Sequence, residues 1–330
     1  MLDTRFAGKD LNPVWLAPLA GITIPAVRKF YKALGAGLTH TEMISCAGLV
    51  HGSKKTFRMM ETFGEAPPVV IQLFAGDTDT LLKGAELALK QDKWAAISIN
   101  MACPMPKVLK KGAGASLLKN IEGAERMIKG LMVFQKPVWI KIRKISDNYS
   151  DTLAFIDRMI SAGAVHVSLH GRTPKQKYEG YADKNVVFEA AKRFPGYISG
   201  SGDVFTVNDA LDYLENGCVA VLLARGAMKD PFIVPSILQR LDYEIANRTL
   251  CDPSVKERIA LFRTFAYNLR EEAGENLALI LIKRLVSGIF RGFNGVSTFR
   301  RNVGSAKKWD DFEAAIIDYS DHFERGQELW

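Results

Sequence analysis

The chain has few of the residues that staple small folds together. Its four cysteines, Cys46, Cys103, Cys218 and Cys251, lie far apart with no Cys-x-x-Cys pair. That argues against a disulfide framework or a zinc knuckle and makes a reducing cytoplasm the simplest setting. Long apolar runs are missing as well: runs such as Leu277 to Ile282 are far too short to cross a bilayer. The opening Met1-Leu2-Asp3-Thr4-Arg5 has an early acid and no apolar run before Val14, which argues against a signal peptide. No Gly-x-Gly-x-x-Gly stands at the first βα turn, where a doubly wound dinucleotide-binding sheet would carry it. Acidic residues are absent from Asn276 to Trp309.

What is present is an ordinary globular composition. The 330 residues are 48% hydrophobic and 24% charged, enough for one large domain and a smaller one. A net charge of +8, from 44 Lys+Arg against 36 Asp+Glu, permits a nucleic-acid or phosphate partner without requiring one. From Val14 onward, short β-rich runs alternate with segments of helical periodicity. The runs are Trp15–Leu19, Thr39–Met43, Val69–Phe74, Ala95–Asn100, Val138–Arg143, Val165–His170, Tyr197–Ser201 and Val219–Ala224. Helices are expected between them, at Pro25–Leu34 with proline at its start, Thr78–Leu89, Ala115–Val133, Thr152–Ala162, Val186–Arg193 and Val207–Leu214. Eight βα units in succession predict an α/β fold, a (β/α)8 TIM barrel over residues 1–242. An open, doubly wound sheet is the competing architecture.

In such a barrel the active site lies at the C-terminal ends of the strands, so the strand ends are where chemistry should appear. The first run ends in Pro18-Leu19-Ala20-Gly21, the second in Glu42, the third in Gln72, the fourth in Asn100 and Cys103. The fifth carries Lys141 and Arg143, and the sixth His166, Ser168 and His170; the seventh leads into Ser201-Gly202-Asp203 and the eighth into Ala224-Arg225-Gly226. Alternation puts Lys141 and Arg143 on one face opposite Ile140 and Ile142, and the sixth-strand polar residues opposite Val167 and Leu169. Any one of these could be a paired, buried residue, but so many converging on one rim are hard to explain by packing.

The stretch Ala95 to Leu118 is the richest. Ile97 and Ile99 point one way, Ser98 and Asn100 the other, and Cys103-Pro104 ends the extended run, so the strand delivers a thiol to its own rim. Lys107, Lys110, Lys111 and Gly112-Ala113-Gly114 follow as a basic, tightly turning loop fit to face a polyanion; the plainer reading is a buried cysteine beside a solvated loop. Ser199-Gly200-Ser201-Gly202 and Arg225-Gly226, after the seventh and eighth strands, suit a phosphate held by backbone N–H groups, or are ordinary turns. Beyond Pro231 the β pattern stops. Helices are expected at Val255–Glu272, Asn276–Phe290 and Phe312–Arg325, a small all-helical domain over residues 243–330. Its acid-free stretch holds Lys283, Arg284, Arg291, Arg300, Arg301, Lys307 and Lys308 with Phe290, Phe293 and Phe299 interleaved. It suits a phosphodiester backbone, or else is a solvated face over core aromatics.

The motifs Ala17-Pro18-Leu19-Ala20-Gly21, Ile71-Gln72-Leu73, Asn100-Met101-Ala102-Cys103-Pro104, Lys141-Ile142-Arg143, His170-Gly171-Arg172-Thr173 with Gln176, Tyr178 and Gly180, Ser201-Gly202-Asp203 and Ala224-Arg225-Gly226-Ala227 occur in this order. Jointly they resemble the tRNA-dihydrouridine synthase family. The resemblance implies an FMN-binding barrel, a helical tRNA-binding domain, NADPH as reductant and no metal. It implies Cys103 as the proton donor to C5 of uracil. Pro18, Leu19, Ala20, Gln72, Lys141, His170, Ser201, Gly202, Asp203, Ala224 and Arg225 would contact FMN, and Asn100, Lys107, Arg143 and Arg172 would lie near the uridine. The chain departs from the family pattern at Ala102 for glycine, at Ser201 for asparagine, and at Lys229-Asp230-Pro231 for Gly-Asn-Pro.

Reducing the C5–C6 bond of uracil needs a hydride at C6, which a flavin can supply and no side chain can, and a proton at C5. A thiol of unperturbed pKa about 8.5 is mostly protonated at neutral pH and can give that proton. A uridine must also leave its stack to reach a barrel mouth, which gives a basic rim its use. Two other readings fit parts of the chain. A small-molecule flavin oxidoreductase of the dihydroorotate dehydrogenase or ene-reductase kind would not need the basic tail, and a non-redox module binding RNA or a sugar phosphate would not need the flavin.

Overall fold

In a computed structural model, which describes residues 11–243, 248–293 and 295–324, the eight β-rich runs are parallel strands. They are β1 (Val14–Leu16), β2 (Leu38–Ser45), β3 (Val69–Phe74), β4 (Ala96–Met101), β5 (Val138–Arg143), β6 (His166–His170), β7 (Ile198–Ser201) and β8 (Ala220–Leu223). Each pairs with the next, and β8 pairs back to β1, Val14 against Val221 and Leu16 against Leu223, so the sheet closes into a barrel. β1 ends before the expected Leu19 because Pro18 has no N–H to give the ladder; Ala17 makes the last bond, to the Leu223 carbonyl, at 2.8 Å. β2 runs longer than expected and carries an irregularity in register between His40 and Met43.

The period of two sorts the side chains. Ile71, Leu73, Ile97, Ile99, Ile140, Ile142, Val167 and Leu169 face outward into the apolar layer beneath the helices. Trp15, Leu38, Val70, Ala96, Trp139, Ala220 and Leu222 fill the inside. Trp15 and Trp139 stack with centroids 5.6 Å apart, and the His166 ring lies 4.6 Å from Trp139. His166 was expected at the rim. It is instead buried at the barrel floor, bonded to the Ser199 hydroxyl at 2.8 Å, and Ser199 in turn donates to Ser168 at 2.9 Å.

The outer helices start where side chains cap them. Asp77 accepts from the Thr80 N–H before Thr78–Leu89, and Thr206 with Asp209 forms a capping box before Val207–Glu215. The single helix expected at Ala115–Val133 is broken into a 3₁₀ turn, Gly114–Lys119, a helix, Ile121–Leu131, and a second 3₁₀ turn, Met132–Phe134. Asn120 divides the first two, its side chain accepting from the Gly123 N–H as an N-cap.

After β8 come short helices and then four longer ones, Val255–Ala273, Glu275–Ile289, Val296–Ser305 and Trp309–Glu324. The third was not expected from periodicity. Phe262, Phe290, Phe299, Phe312 and Tyr319 form an aromatic core between them, Phe299 and Tyr319 stacked at 4.3 Å. Phe290 and Phe299 are therefore packing residues rather than surfaces for a nucleic acid. This helical unit shares the barrel's outer apolar layer: Phe265 meets Phe30 at 4.7 Å, and Lys29 pairs with Glu272. Gly288 lets Glu275–Ile289 approach the β8 loop, where an added Cβ would lie 2.7 Å from the Met228 carbonyl oxygen. Among the described residues no helix is long and apolar enough to cross a membrane. The readings made of residues 1–5 and of Arg325 lie outside the described residues.

Candidate active site

A cavity of about 480 Å³ opens at the C-terminal ends of the strands, within the usual small-molecule range of about 300–1,000 Å³. Pro18, Leu19, Ala20, Asn100, Cys103, Lys141, Arg143, His170, Ser201, Gly202, Asp203, Ala224 and Arg225 line it. Gln72, Lys107 and Arg172 do not. Gln72 is buried behind Asn100, and Lys107 is exposed on the short helix Pro106–Leu109. Arg172 is buried behind Asp203, which it grips with two bonds of 2.8 and 2.7 Å. Glu42 is not among the lining residues either. It accepts the Gly21 N–H in the β1 loop, and burial raises its carboxyl.

The thiol loop is held from two sides. The Asn100 carboxamide oxygen accepts the N–H groups of Ala102 at 3.2 Å and Cys103 at 2.9 Å, while its nitrogen donates to Gln72 at 2.8 Å. Arg143 Nε donates to the Ala102 carbonyl at 2.9 Å. Gly114, at φ +61°, closes over the same turn, and a Cβ there would lie 2.6 Å from the Cys103 carbonyl oxygen. Ala102 does not adopt a left-handed conformation, so its methyl adds no backbone strain where the family pattern has glycine. Burial pushes the Cys103 thiol up, against smaller downward pulls from the Met105 N–H and Arg143. It stays protonated at neutral pH.

The deeper wall is cationic. Lys141 has no carboxylate within ion-pair distance among the described residues, and burial followed by the nearby Arg143 brings its ammonium down to about 7. His170 is pushed well below its ordinary range by burial, then by Lys141, Arg143, Arg172 and Arg225. Its Nδ1 accepts the Arg172 N–H at 3.1 Å, which leaves the proton on Nε2. Burial would raise the Asp203 carboxyl, but Arg172, the Ala182 N–H and Arg225 hold it down. Gly202, at φ +120°, and Gly226 bring the β7 and β8 loops together; a Cβ on Gly226 would lie 1.8 Å from the Val204 carbonyl oxygen. The arrangement can hold an anionic group at Lys141 and a phosphate at Arg225, with a neutral imidazole N–H and a protonated thiol lining the same cavity.

Sequence reasoning did not pick out Met43, Met105 and Phe205, which also line the cavity, and it named Tyr178 only within a motif. Tyr178 stands at the mouth between two guanidinium groups, 5.5 Å from Arg143 and 5.1 Å from Arg225. Its position inside the loop between His170 and Gly180 was the one available signal.

Comparison with known proteins agrees with this architecture. A "Probable tRNA-dihydrouridine synthase" of Treponema pallidum (strain Nichols) is 29% identical over 317 residues, covering 92% of each chain. A "tRNA-dihydrouridine(47) synthase [NAD(P)(+)]-like" protein of Xenopus laevis is 30% identical over 239 residues, which are 72% of this chain and 37% of that one. Among solved structures, DHODH from Eimeria tenella superposes with a TM-score of 0.53 at 14% identity, over 73% of this chain and 84% of that one. The old yellow enzyme homologue from Zymomonas mobilis gives 0.53 at 12%, over 77% and 98%. At such identities these two establish the barrel fold alone. The family described as Dihydrouridine synthase (Dus) matches residues 15–324, from the first strand to the last described helix, and the chain therefore belongs to the dihydrouridine synthase family.

Proposed function

We propose that this oxidoreductase, which reduces uridine in tRNA to dihydrouridine, holds FMN in the cavity, draws its electrons from NADPH and protonates C5 of the uracil from Cys103. The observation that carries the proposal is that one cavity is lined both by a lysine with no carboxylate partner among the described residues and by a thiol that burial keeps protonated. Bound FMN would supply the hydride that no side chain can. Lys141 would neutralise negative charge on the pyrimidine end of that ring, and His170 would donate its Nε2 hydrogen. Arg225, with the close-approaching backbone at Gly202 and Gly226, would hold the phosphate.

Asn100 and Arg143 fix the two sides of the Ala102–Cys103 peptide that carries the thiol, so the Cys103 proton is delivered from a set position rather than a flexible loop. The thiolate left behind would be reprotonated from solvent, since Cys103 is only partly buried. The NAD(P)(+) in the Xenopus relative's name supports a nicotinamide reductant.

Residues 1–242 would form the catalytic domain and 243–330 a helical domain that grips tRNA. Arg284, Arg291, Arg300, Arg301, Lys307 and Lys308 are exposed on it, and Lys283, Ser287, Arg300 and Arg301 line a shared surface groove. The approach at Gly288 seats the helix that carries Lys283 and Arg284 against the turn after β8. A cytoplasmic setting fits the substrate. Purified protein should show flavin absorbance, and Cys103→Ala should stay yellow and reducible by NADPH while turnover on unmodified tRNA falls by about 10²–10⁴. Near-normal product formation by that variant would refute the proton-donor role.

A further inference from the structure

The loop after β6 ends in a side chain that the reaction does not use. Tyr181 is 88% exposed, the most exposed large apolar side chain among the described residues. Its backbone surroundings are fixed. The Glu179 and Gly180 carbonyls accept from Arg172 at 3.0 and 2.6 Å, and the Ala182 N–H donates to Asp203 at 2.8 Å. Further back, Arg143 holds the Lys177 carbonyl at 2.7 Å and Gln176 accepts the Thr173 N–H at 2.8 Å. The ring is thus presented by an ordered loop, and a partner that covers it need not order that loop first.

Position and charge say what such a partner would be. Tyr178, three residues earlier, lines the cavity, so Tyr181 sits just outside the mouth. Lys175 and Lys177 are exposed on the same loop; of its two acids Glu179 is exposed and Asp183 is paired with Lys144. An aromatic face among lysines beside a site that must receive an unstacked base is the combination that single-stranded RNA recognition uses, because every base has a face to stack. Pulling one uridine out of a tRNA loop strips its neighbours of a stacking partner, and an outward-facing ring at the mouth can replace it.

We propose that Tyr181 is a stacking platform for a nucleotide next to the target uridine, with Lys175 and Lys177 on the adjoining phosphates. This rests on the tRNA reading above and adds a contact that selects sequence-neighbouring nucleotides by shape rather than by identity.

The test is steady-state kinetics on unmodified tRNA transcripts with wild-type protein, Tyr181→Ala, Tyr181→Phe and the double variant Lys175→Gln, Lys177→Gln. Tyr181→Ala should raise KM for tRNA about tenfold with a smaller change in kcat, and Tyr181→Phe should restore it, since the platform needs the ring and not the hydroxyl. The double lysine variant should flatten the salt dependence of log K by about 1.5–2. A Tyr181→Ala enzyme with wild-type KM overturns the proposal, as does a Phe variant as defective as the Ala variant. A Tyr181→Ala protein that loses kcat and melting temperature together also overturns it, by assigning the ring to holding the loop. Wild-type protein inert toward tRNA would overturn the functional reading and this one with it. An active wild type beside an indifferent Tyr181→Ala overturns this one alone.

Discussion

At the floor of the barrel His166 shares a 2.8 Å hydrogen bond with Ser199, Ser199 donates to Ser168, and His40 Nδ1 meets the Leu16 carbonyl at 2.8 Å, all packed around Trp15 and Trp139. At the mouth Lys141 faces open volume with no carboxylate against it among the described residues, and His170 lies among four cations. Both regions are polar and both descend from the same inward-facing strand positions. In the floor His166, Ser199, Ser168 and His40 all bond to neutral groups of the protein, so polarity there is part of the packing. In the mouth Arg172 and Arg225 share the Asp203 carboxylate, but Lys141 has none among the described residues, so its charge is matched only when something enters. What separates a site from a polar core is charge left over around a space, and burial alone does not reveal it.

That contrast can be broken from either side. The largest effect is expected at the mouth: Lys141→Met should weaken FMN binding roughly 100-fold, read by fluorescence titration, because a charge-assisted contact is lost. The folded state should not suffer, since a desolvated ammonium is removed. At the floor the opposite pattern is expected. His166→Ala should cost about 2–4 kcal/mol of stability in urea denaturation through a cavity and a broken hydrogen-bond chain. Its effect on FMN affinity should stay within about twofold, since no part of the imidazole reaches the cavity. If His166→Ala lost flavin and kept its stability, the floor would belong to the site and the distinction would fall.

The same contrast explains what could be read from the residues alone. Parity puts His166, Ser168 and His170 on one face opposite Val167 and Leu169, as the barrel has them, because alternation is a local property of a strand. It could not assign their depth. His166 pairs in register with Trp139 and His170 with Arg143, about 13 Å apart along the strand at ordinary rise, and only closure of the barrel against β5 and β7 decides which of them meets the cavity. Arg172 failed for a related reason. Its motif is local, but the carboxylate that takes it, Asp203, comes 31 residues later on another loop. Phe290 and Phe299, interleaved with basic residues, fit either a nucleic-acid face or core aromatics in the sequence; the helix Val296–Ser305, which periodicity does not show, turns them inward. The position of Cys103 at the rim is legible because the strand, the Cys-Pro turn and Gly114, which closes over it, all lie within one short stretch.

A smaller effect isolates the unmatched charge itself. Lys141 titrates at about 7 in the folded protein, down from its ordinary 10.5. In cofactor-free protein between those values the unfolded chain binds a proton that the folded chain has released, so Lys141 makes stability rise with pH, by at most about 1.4 kcal/mol per pH unit. Below about pH 7 both states are protonated and its unfavourable contribution is constant. Cys103 works against this in part of the same window: its raised pKa means that the unfolded chain loses its proton first, so stability falls as pH rises there. Subtracting Lys141→Met from wild type at each pH cancels the thiol and leaves the lysine. Urea denaturation of both proteins without flavin at pH 7.5 and 9 should therefore give a wild-type disadvantage that shrinks as pH rises, and saturating FMN should flatten it by drawing the Lys141 pKa back up. A difference that stayed constant without flavin would mean that the mouth is already neutralised by the protein, and that floor and mouth are the same kind of region.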